Sequence, residues 1–329
     1  IPNLKNIIQI VSHYQCTQHY LTKNKIILLI ILIVIQMIVN NIILGSAQFG
    51  LKYGINNFTS GLNKSNVFEI LEHAFSNGIR YIDSAEAYGN AHKLIGQFHK
   101  KNKSTKFNII TKFKNLDLKS SQEFISYIEK TCKELNVDSL DTYMFHSFTD
   151  FKKNLKTLDH LKLLRSRGLI KNIGISIYHN YQLDEILKNS YKFNVVQLPF
   201  NLLDNETKRG SNLVKAKDSG IEIHARSVFL QGLFFQSQNS LHERFKIIKN
   251  DLKYLKKLCL KYNLEMQDLA LQYVLSKSYI DKILIGVDSL NHLKINLKSI
   301  NKKTNVIFDK IDKIDIENSS LLNPTNWNL

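Results

Sequence analysis

Short apolar runs alternate with longer amphipathic stretches along most of this chain. Eight of the runs have the length of buried β-strands. They span residues 42–46, 79–83, 107–111, 142–145, 173–176, 195–198, 221–225 and 283–285. Strands that alternate with helices pair in parallel through right-handed crossovers, so the pattern predicts a parallel sheet with helices between its strands.

The stretches between the runs carry apolar residues at helical spacing. One set follows the i, i+3, i+4, i+7 pattern of a buried helix face and consists of Val67, Ile70, Leu71 and Ala74. A second set consists of Leu155, Leu158, Leu161 and Leu164. Gly168 follows the second set at a position where helices commonly end in a left-handed residue, so both stretches are predicted to be helices.

Eight strand–helix units over roughly 250 residues match an α/β fold of the (β/α)8 TIM barrel type. A doubly wound open sheet is the alternative, but no G-x-G-x-x-G turn follows the first strand. The barrel is assigned to residues 37–300 as a single domain. The long connection at residues 226–248 lacks strand character and is expected to be functional. Residues 301–329 form a C-terminal tail, in which 307–316 add a short helix.

The amino-terminal residues 1–36 do not belong to this pattern. Residues 26–39 are almost continuously apolar, broken only by Gln36, and Lys23 and Lys25 precede them. The stretch is shorter than the roughly 20 residues of a membrane-spanning helix, and no small-residue cleavage site of a signal peptide follows it. Residues 1–36 are interpreted as lying upstream of a natural start at Met37, or as a poorly ordered extension. A membrane anchor through residues 26–39 is the alternative.

Composition excludes some classes of protein. The chain has 329 residues with 43% hydrophobic content, which is enough for a full core. Its net charge of +17 comes from lysines scattered along the chain, with no basic block longer than residues 99–103. A nucleic-acid partner is therefore not expected, because its electrostatic footprint is clustered. A basic surface still favours anionic ligands such as phosphates.

The three cysteines, Cys16, Cys132 and Cys259, are far apart and have no metal-ligand spacing. A sparse, odd count is typical of a reducing compartment, so a cytoplasmic protein without a metal site is expected.

Ionisable residues stand where the predicted strands end. Asp83 ends the second strand, Tyr88 follows in the next loop, Lys112 comes after the third strand and His146 after the fourth. Each has a structural interpretation of its own: a turn cap, a packed ring, a solvated charge and a buried histidine. Active-site groups of such barrels come from the C-terminal ends of strands, so the four are expected to share one pocket.

Together these groups suit proton transfer to a carbonyl oxygen. A free tyrosine has a pKa near 10, and a neighbouring lysine ammonium is expected to lower it. A carboxylate keeps the ammonium charged and in place, and a histidine can hydrogen-bond the substrate oxygen.

With these residues the sequence resembles the aldo-keto reductase family over about residues 42–299. The opening Leu44-Gly45-Ser46-Ala47-Gln48-Phe49-Gly50 is similar to the family's first strand and cofactor-facing turn. Asp83, Tyr88, Lys112 and His146 match its catalytic tetrad in order, spacing and strand context. The resemblance implies that Tyr88 is the proton donor, that Lys112 and Asp83 tune it, and that His146 positions the carbonyl.

The resemblance also implies a site for NADPH, with NADH possible, and no metal. Three positions depart from the family pattern: Ile177 replaces an Asn, Arg226 replaces an aromatic residue that stacks on nicotinamide, and His292 replaces an arginine for the 2′-phosphate. Gly286 and Asn296 also have structural interpretations, a tight turn and a helix cap. The implied cofactor-binding residues are Gly45, Ser46, Ser176, Gln197, Arg226, Ser227, Leu230, Gly232, Gly286, Val287, His292 and Asn296.

The expected function is therefore NADPH-dependent reduction of an aldehyde or ketone to an alcohol. Segments 47–54 and 229–233 resemble bacterial members linked to cell-surface sugar metabolism, which implies a small carbonyl substrate such as a sugar or nucleotide sugar. Two alternatives are a nucleotide-binding barrel that acts as a regulatory or interaction subunit, and a membrane-tethered reductase.

Overall fold

Eight parallel strands close into a barrel in the computed structural model, which describes residues 38–56, 61–113, 120–189, 191–237, 239, 241–302, 304, 306 and 308–327. Each strand pairs with the next along the chain, and the last pairs with the first. The strands are β1 (Ile42–Gly45), β2 (Tyr81–Asp83), β3 (Asn108–Phe113), β4 (Leu140–Phe145), β5 (Ile170–Ser176), β6 (Val195–Pro199), β7 (Glu222–Arg226) and β8 (Lys282–Gly286). The predicted (β/α)8 TIM barrel is confirmed, and each predicted run overlaps one strand.

Helices fill the connections between the strands. The described helices are α1 (Ala47–Gly50), α2 (Lys64–Ser76), α3 (Ala91–Lys101), α4 (Ser121–Leu135), α5 (Phe148–Lys153), α6 (Thr157–Ser166), α7 (Asn180–Lys188), α8 (Glu206–Asp218), α9 (Lys249–Tyr262), α10 (Met266–Leu275), α11 (Leu290–Ile300) and α12 (Asp309–Asp312).

The predicted apolar faces of α2 and α6 can be compared with the buried residues of these helices. The four apolar residues predicted for α2 are all fully buried. In α6 the prediction was wrong for Leu155, which precedes the helix and is 42% exposed, since Asn154 and Lys156 turn the chain there before the helical register begins. Gly168 follows the last turn with φ +74°, the left-handed conformation predicted for it.

The inside of the barrel is filled by a small apolar cluster of its own. Successive strand side chains point to opposite faces, so one set fills the barrel and the other packs under the helices. The inner cluster comes from six strands and consists of Ile43, Tyr81, Ile110, Met144, Val195 and Leu284. Polar residues at the carboxyl ends of the strands therefore lie above a closed floor.

The connection after β7 has no strand among its described residues, as predicted. It contains 3₁₀ segments at Leu230–Phe235 and Glu243–Ile248. Ser227, Leu230, Gln231 and Gly232 all have positive φ, between 45° and 93°. Left-handed residues in series turn the chain sharply and can aim successive amides at an anion.

The carboxyl-terminal residues pack against the barrel. The Asn205 side chain donates to the carbonyl oxygens of Ile311 at 2.7 Å and Ile314 at 2.8 Å. Trp327 packs edge-on against Phe245 with ring centroids 4.7 Å apart. These contacts anchor α12 and the residues after it, while the assignment of residues 301–329 as a separate tail stays a prediction.

The predicted extension, residues 1–36, and Met37 lie outside the described residues. In the described part of the chain, no helix is long and apolar enough to cross a membrane. The cytoplasmic location stays a prediction. Across the same described ranges, no group of three or more His, Cys, Asp or Glu side chains is placed to hold a metal ion.

Candidate active site

A buried ion pair lies at the centre of the site. Lys112 Nζ is 2.5 Å from both carboxylate oxygens of Asp83, and both residues are only 2% exposed. Gln197 Nε2 donates to the Asp83 Oδ2 atom at 2.8 Å. Lys112 is the penultimate residue of β3 instead of following the strand, because β3 pairs with β4 as far as Phe113. The strand register thus brings the two predicted partners together.

Tyr88 and His146 lie beside this pair. The Lys112 Nζ atom is 5.6 Å from the centre of the Tyr88 ring, and the His146 ring meets the Tyr88 ring edge-on at 6.1 Å. The Glu86 amide donates to the Lys112 carbonyl oxygen at 3.0 Å, which ties the loop that carries Tyr88 to β3. All four residues predicted to form the tetrad are therefore neighbours.

The pKa of Tyr88 does not move in the expected direction. Burial raises it above its ordinary value of 10.0, and the negative charge of Asp83 raises it further. Arg226 is the cation that does lower the pKa of Tyr88, although burial prevails. The phenol therefore keeps its proton at neutral pH and is available as a donor.

Burial also shifts the pKa values of His146 and Lys112. Burial, and secondarily the charge of Lys112, lowers the pKa of His146 to about 4. The imidazole is neutral at physiological pH, so it can orient a carbonyl oxygen only through an N–H hydrogen bond. Burial also lowers the pKa of Lys112, while the Asp83 carboxylate opposes this shift and favours the ammonium.

The backbone around Tyr88 is held by two glycines in close contact. A Cβ atom on Gly50 would lie 2.1 Å from the Tyr88 carbonyl oxygen, and one on Gly89 would lie 2.6 Å from the Gly50 carbonyl oxygen. Gly89 also has φ +54°. Any side chain at position 50 therefore displaces the loop that carries the phenol.

We expect the Gly50→Ala variant to lose at least about 10-fold in kcat, because small displacements of a reacting group are costly. Steady-state kinetics with a carbonyl substrate measures this loss. Gly168→Ala is the control, since it has positive φ but no heavy atom within 4 Å of an added Cβ atom. It should lower stability through backbone strain and leave kcat unchanged, whereas equal kcat losses in both variants would contradict the positioning role of Gly50.

A pocket of about 440 Å³ opens beside two residues of the tetrad at the carboxyl ends of the strands, while Lys112 and His146 lie outside its lining. Its size is that of a typical small-molecule site. Asp83 and Tyr88 line it, and so do ten of the twelve predicted cofactor residues: Gly45, Ser46, Gln197, Arg226, Ser227, Gly232, Gly286, Val287, His292 and Asn296.

Two predicted cofactor residues do not line this pocket. Ser176 is buried and lies in register with Gln197, so it supports the wall instead of forming it. The Leu230 side chain is fully buried and packs in the main apolar core. The departure at Ile177 has a structural consequence, because its side chain is also in that core and only its carbonyl oxygen reaches a pocket residue, Arg226.

Two buried acceptors at the pocket fit a nicotinamide carboxamide. The Gln197 Oε1 and Ser46 Oγ atoms are buried and have no hydrogen-bond partner within the described ranges. Buried polar atoms normally have partners, and Gln197 already uses its amide nitrogen on Asp83. An amide N–H group of a ligand would satisfy the remaining oxygen.

The far end of the pocket suits a phosphate. Helix α11 begins there after its N-cap, Ser289, whose Oγ accepts from the His292 amide at 3.2 Å. A helix N-terminus favours an anion. His292 and Asn296, in the first two turns of that helix, line the pocket, and Asp288 forms an ion pair with His292.

A bridge of hydrogen bonds joins residues 53–56 to residues 231–236 at the pocket. The Ile55 amide donates to the Gln231 carbonyl oxygen at 3.0 Å, and Asn56 Nδ2 donates to the Gly232 carbonyl oxygen at 2.9 Å. Gln231 Nε2 also donates to Tyr53 Oη at 3.2 Å. Residues from this bridge and from the strand ends line the pocket together.

Sequence reasoning missed Tyr53, Gln48 and Tyr178. Tyr53 and Gln48 line the pocket, and a Cβ atom on Gly286 would lie 2.7 Å from the Gln48 side chain. Tyr178 lies under the Arg226 guanidinium, 4.1 Å from its ring centre. The sequence offered a reason to consider two of them, since Gln48 and Tyr53 belong to the segment that carries the family resemblance.

This fold and this site define an oxidoreductase that reduces carbonyl compounds. A sequence model of the Aldo/keto reductase family matches residues 41–316. The chain belongs to that family and is an NAD(P)H-dependent oxidoreductase.

Curated relatives are similar over most of their length. The D-arabinose 1-dehydrogenase of Saccharomyces cerevisiae is 24% identical over 254 residues, covering 70% of this chain and 75% of the relative. The NADH-specific methylglyoxal reductase of Escherichia coli is 26% identical over 271 residues, covering 68% and 79%. The holo form of an aldo-keto reductase from Bacillus halodurans superposes with a TM-score of 0.68 at 20% identity, covering 85% and 94%, which shows the shared fold.

Proposed function

We propose that the protein reduces a sugar-like aldehyde or ketone with NADPH, with Tyr88 as the proton donor. The observation that carries this proposal is the buried Asp83–Lys112 pair beside a protonated phenol at the mouth of a ligand-sized pocket. The fully buried pair has no other evident role at a strand end that faces a cavity.

Each residue of the tetrad has one task. When bound, the reduced nicotinamide would supply the hydride for the carbonyl carbon. The Tyr88 hydroxyl gives its proton to the carbonyl oxygen, so that an alcohol forms and a phenolate remains. The Lys112 ammonium, held by Asp83, stabilises that phenolate until it takes a proton from water. His146 donates an N–H hydrogen bond that fixes the oxygen in reach of Tyr88.

The cofactor would lie along the pocket from the tetrad to α11. Gln197 would accept from the carboxamide, supported by Ser176 behind it, and Ser46 would offer its free hydroxyl. Gly45 and Gly286, at adjacent strand ends in register, keep the floor open for the nucleotide. Ser227 would lie beside the pyrophosphate, with Arg226 at the start of this loop. The Leu230 and Gly232 amides donate to the Ser227 and Phe229 carbonyl oxygens, so these two residues would shape the loop around the pyrophosphate. Val287, His292 and Asn296 would contact the adenosine end.

The phosphate preference depends on the pair formed by Asp288 and His292. The hydrogen bond that the His292 ring donates to the Asp288 carboxylate raises the pKa of His292 above its ordinary 6.5. Below that raised pKa the pair is neutral overall, and above it the pair carries one negative charge, which repels a 2′-phosphate.

We therefore expect the ratio of NADPH to NADH affinity to fall about fivefold between about pH 6 and about pH 9. Fluorescence titration of both nucleotides across this range measures it. The Asp288→Asn variant removes the carboxylate, so it should raise the ratio at high pH and move the midpoint of the pH dependence to lower pH. A ratio that stays constant in both proteins would remove His292 from the proposed site.

The names of the relatives suggest where to begin the substrate tests. One relative is a D-arabinose dehydrogenase and another an NADH-specific methylglyoxal reductase, so pentoses and short dicarbonyls are the first compounds to try with both nucleotides. NADPH-dependent reduction of a sugar-like carbonyl would support the proposal. Binding of nucleotide without reduction of any carbonyl would favour the alternative of a regulatory barrel.

A further inference from the structure

Besides Lys112, a second cationic side chain lies near the end of the pocket that contains Tyr88 and Asp83. Arg226 is the last residue of β7, and its side chain lines the same pocket as Tyr88 and Asp83. Its charge lowers the pKa values of both Tyr88 and His146. The guanidinium is therefore close to the groups that would handle the carbonyl oxygen.

Arg226 is not neutralised by the protein within the described part of the chain. No Asp or Glu of those residues lies within ion-pair distance of it, whereas Asp83 is paired with Lys112. His146 is uncharged at neutral pH because of its lowered pKa. This end of the pocket consequently carries one uncompensated positive charge, which in a half-buried setting is best satisfied by an anionic ligand.

The guanidinium is also held in a fixed plane. It stacks on the Tyr178 ring at 4.1 Å and donates to the Ile177 carbonyl oxygen at 3.2 Å and to Ser227 Oγ at 3.3 Å. These contacts use one N–H group on each terminal nitrogen. A guanidinium has five N–H donors, so others remain to form the paired bonds that carboxylates and phosphates accept.

The platform under the guanidinium is rigid in turn. The Tyr178 amide donates to Gln182 Oε1 at 2.8 Å, and the Tyr178 carbonyl oxygen accepts from Arg209 at 2.6 Å. Arg209 is itself held by Asp204 through bonds of 2.7 Å. Arg209 thus holds Tyr178 in place, and Tyr178 holds the Arg226 guanidinium. The remaining N–H groups of Arg226 are therefore in position for a ligand without a rearrangement of the side chain.

We propose that Arg226 binds an anionic group of the substrate, so that the preferred substrate is an aldehyde or ketone with a carboxylate or phosphate near its carbonyl carbon. The inference rests on the proposed carbonyl reduction and adds the charge of the substrate to it. Arg226 keeps its place at the cofactor pocket, and the test separates a substrate anion from a cofactor phosphate.

The test compares two matched pairs of aldehydes, succinic semialdehyde with butanal and glyceraldehyde 3-phosphate with glyceraldehyde. The measured quantity is the charged-to-neutral ratio of kcat/KM, in which any general loss of active enzyme cancels. Wild-type protein should prefer the charged member of at least one pair, which tells carboxylate from phosphate. Arg226→Gln should lower that ratio at least about 30-fold, and Arg226→Lys should give an intermediate value.

The matched control is Arg165→Gln, which removes the same charge from an exposed position of α6 and should leave the ratio at its wild-type value. Equal loss for charged and neutral substrates in Arg226→Gln would overturn the inference. A loss confined to NADPH affinity would overturn it too and assign the side chain to the cofactor. If the wild-type protein reduces none of the four aldehydes with either nucleotide, the proposed function itself fails.

Discussion

The Tyr88→Phe variant is expected to lose about 100- to 10,000-fold in kcat while it binds NADPH as tightly as the wild-type protein. The size of the loss is that of a general acid placed on the reacting oxygen. No described residue hydrogen-bonds to the phenol oxygen, so its removal leaves no protein group without a partner. The ring itself stays packed beside Lys112 and His146. Stopped-flow kinetics and fluorescence titration measure the two quantities.

Tyr181→Phe provides the matched control, because Tyr181 is 61% exposed on α7 and the chemical change is the same. It should keep wild-type kcat. If Tyr88→Phe also kept wild-type kcat, the proton would come from another group and Tyr88 would be a packing residue. A kcat loss that came with an equal loss of NADPH affinity would place the phenol in cofactor binding.

The Lys112→Met variant should lose about 3–5 kcal/mol of unfolding free energy together with most of its activity. Removal of one partner leaves the other as an uncompensated buried charge, and Asp83 is only 2% exposed. Urea unfolding measures the effect. The double variant Asp83→Asn, Lys112→Met should recover a large part of the stability and none of the activity, because it removes both charges and keeps an amide for Gln197.

The control for this pair is the exposed ion pair of Lys162 and Asp159 on α6, where Lys162 Nζ is 2.8 Å from the carboxylate. Solvent screens such pairs, so Lys162→Met should leave the urea midpoint within experimental error. Similar losses in Lys112→Met and Lys162→Met would contradict the account of a buried, functional pair. Full activity of Lys112→Met would contradict its role in stabilising the phenolate.

The fold and the tetrad were predictable because they depend on local pattern. Each strand is a short apolar run, and parallel strands bring their carboxyl ends to one rim. The positions of Asp83, Lys112 and His146 at successive strand ends therefore predict that they lie near one another. The ends of the strands were predicted less accurately. Lys112 lies within β3 because β3 pairs with β4 as far as Phe113, and such pairing depends on the neighbouring strand as well as on the residues of β3.

Properties that depend on distance between remote residues could not be predicted. Burial raises the pKa of Tyr88, and the charge of Asp83 raises it further, which depends on how the folded chain surrounds the phenol. The stacking of Arg226 on Tyr178 joins the end of β7 to the loop after β5. The bond between Asn56 and Gly232 spans 176 positions. Leu230 was predicted as a pocket residue from its motif, yet its positive φ turns the side chain into the core.

The most direct measurement is a single turnover in which protein saturated with NADPH is mixed with an aldehyde in the stopped flow. We expect the absorbance of the reduced nicotinamide to disappear in a stoichiometric phase with wild-type protein, and this phase to slow at least about 100-fold in Tyr88→Phe. Folded protein that binds NADPH but never oxidises it, with carboxylated, phosphorylated and neutral aldehydes alike, would contradict the central claim that this site reduces carbonyl compounds.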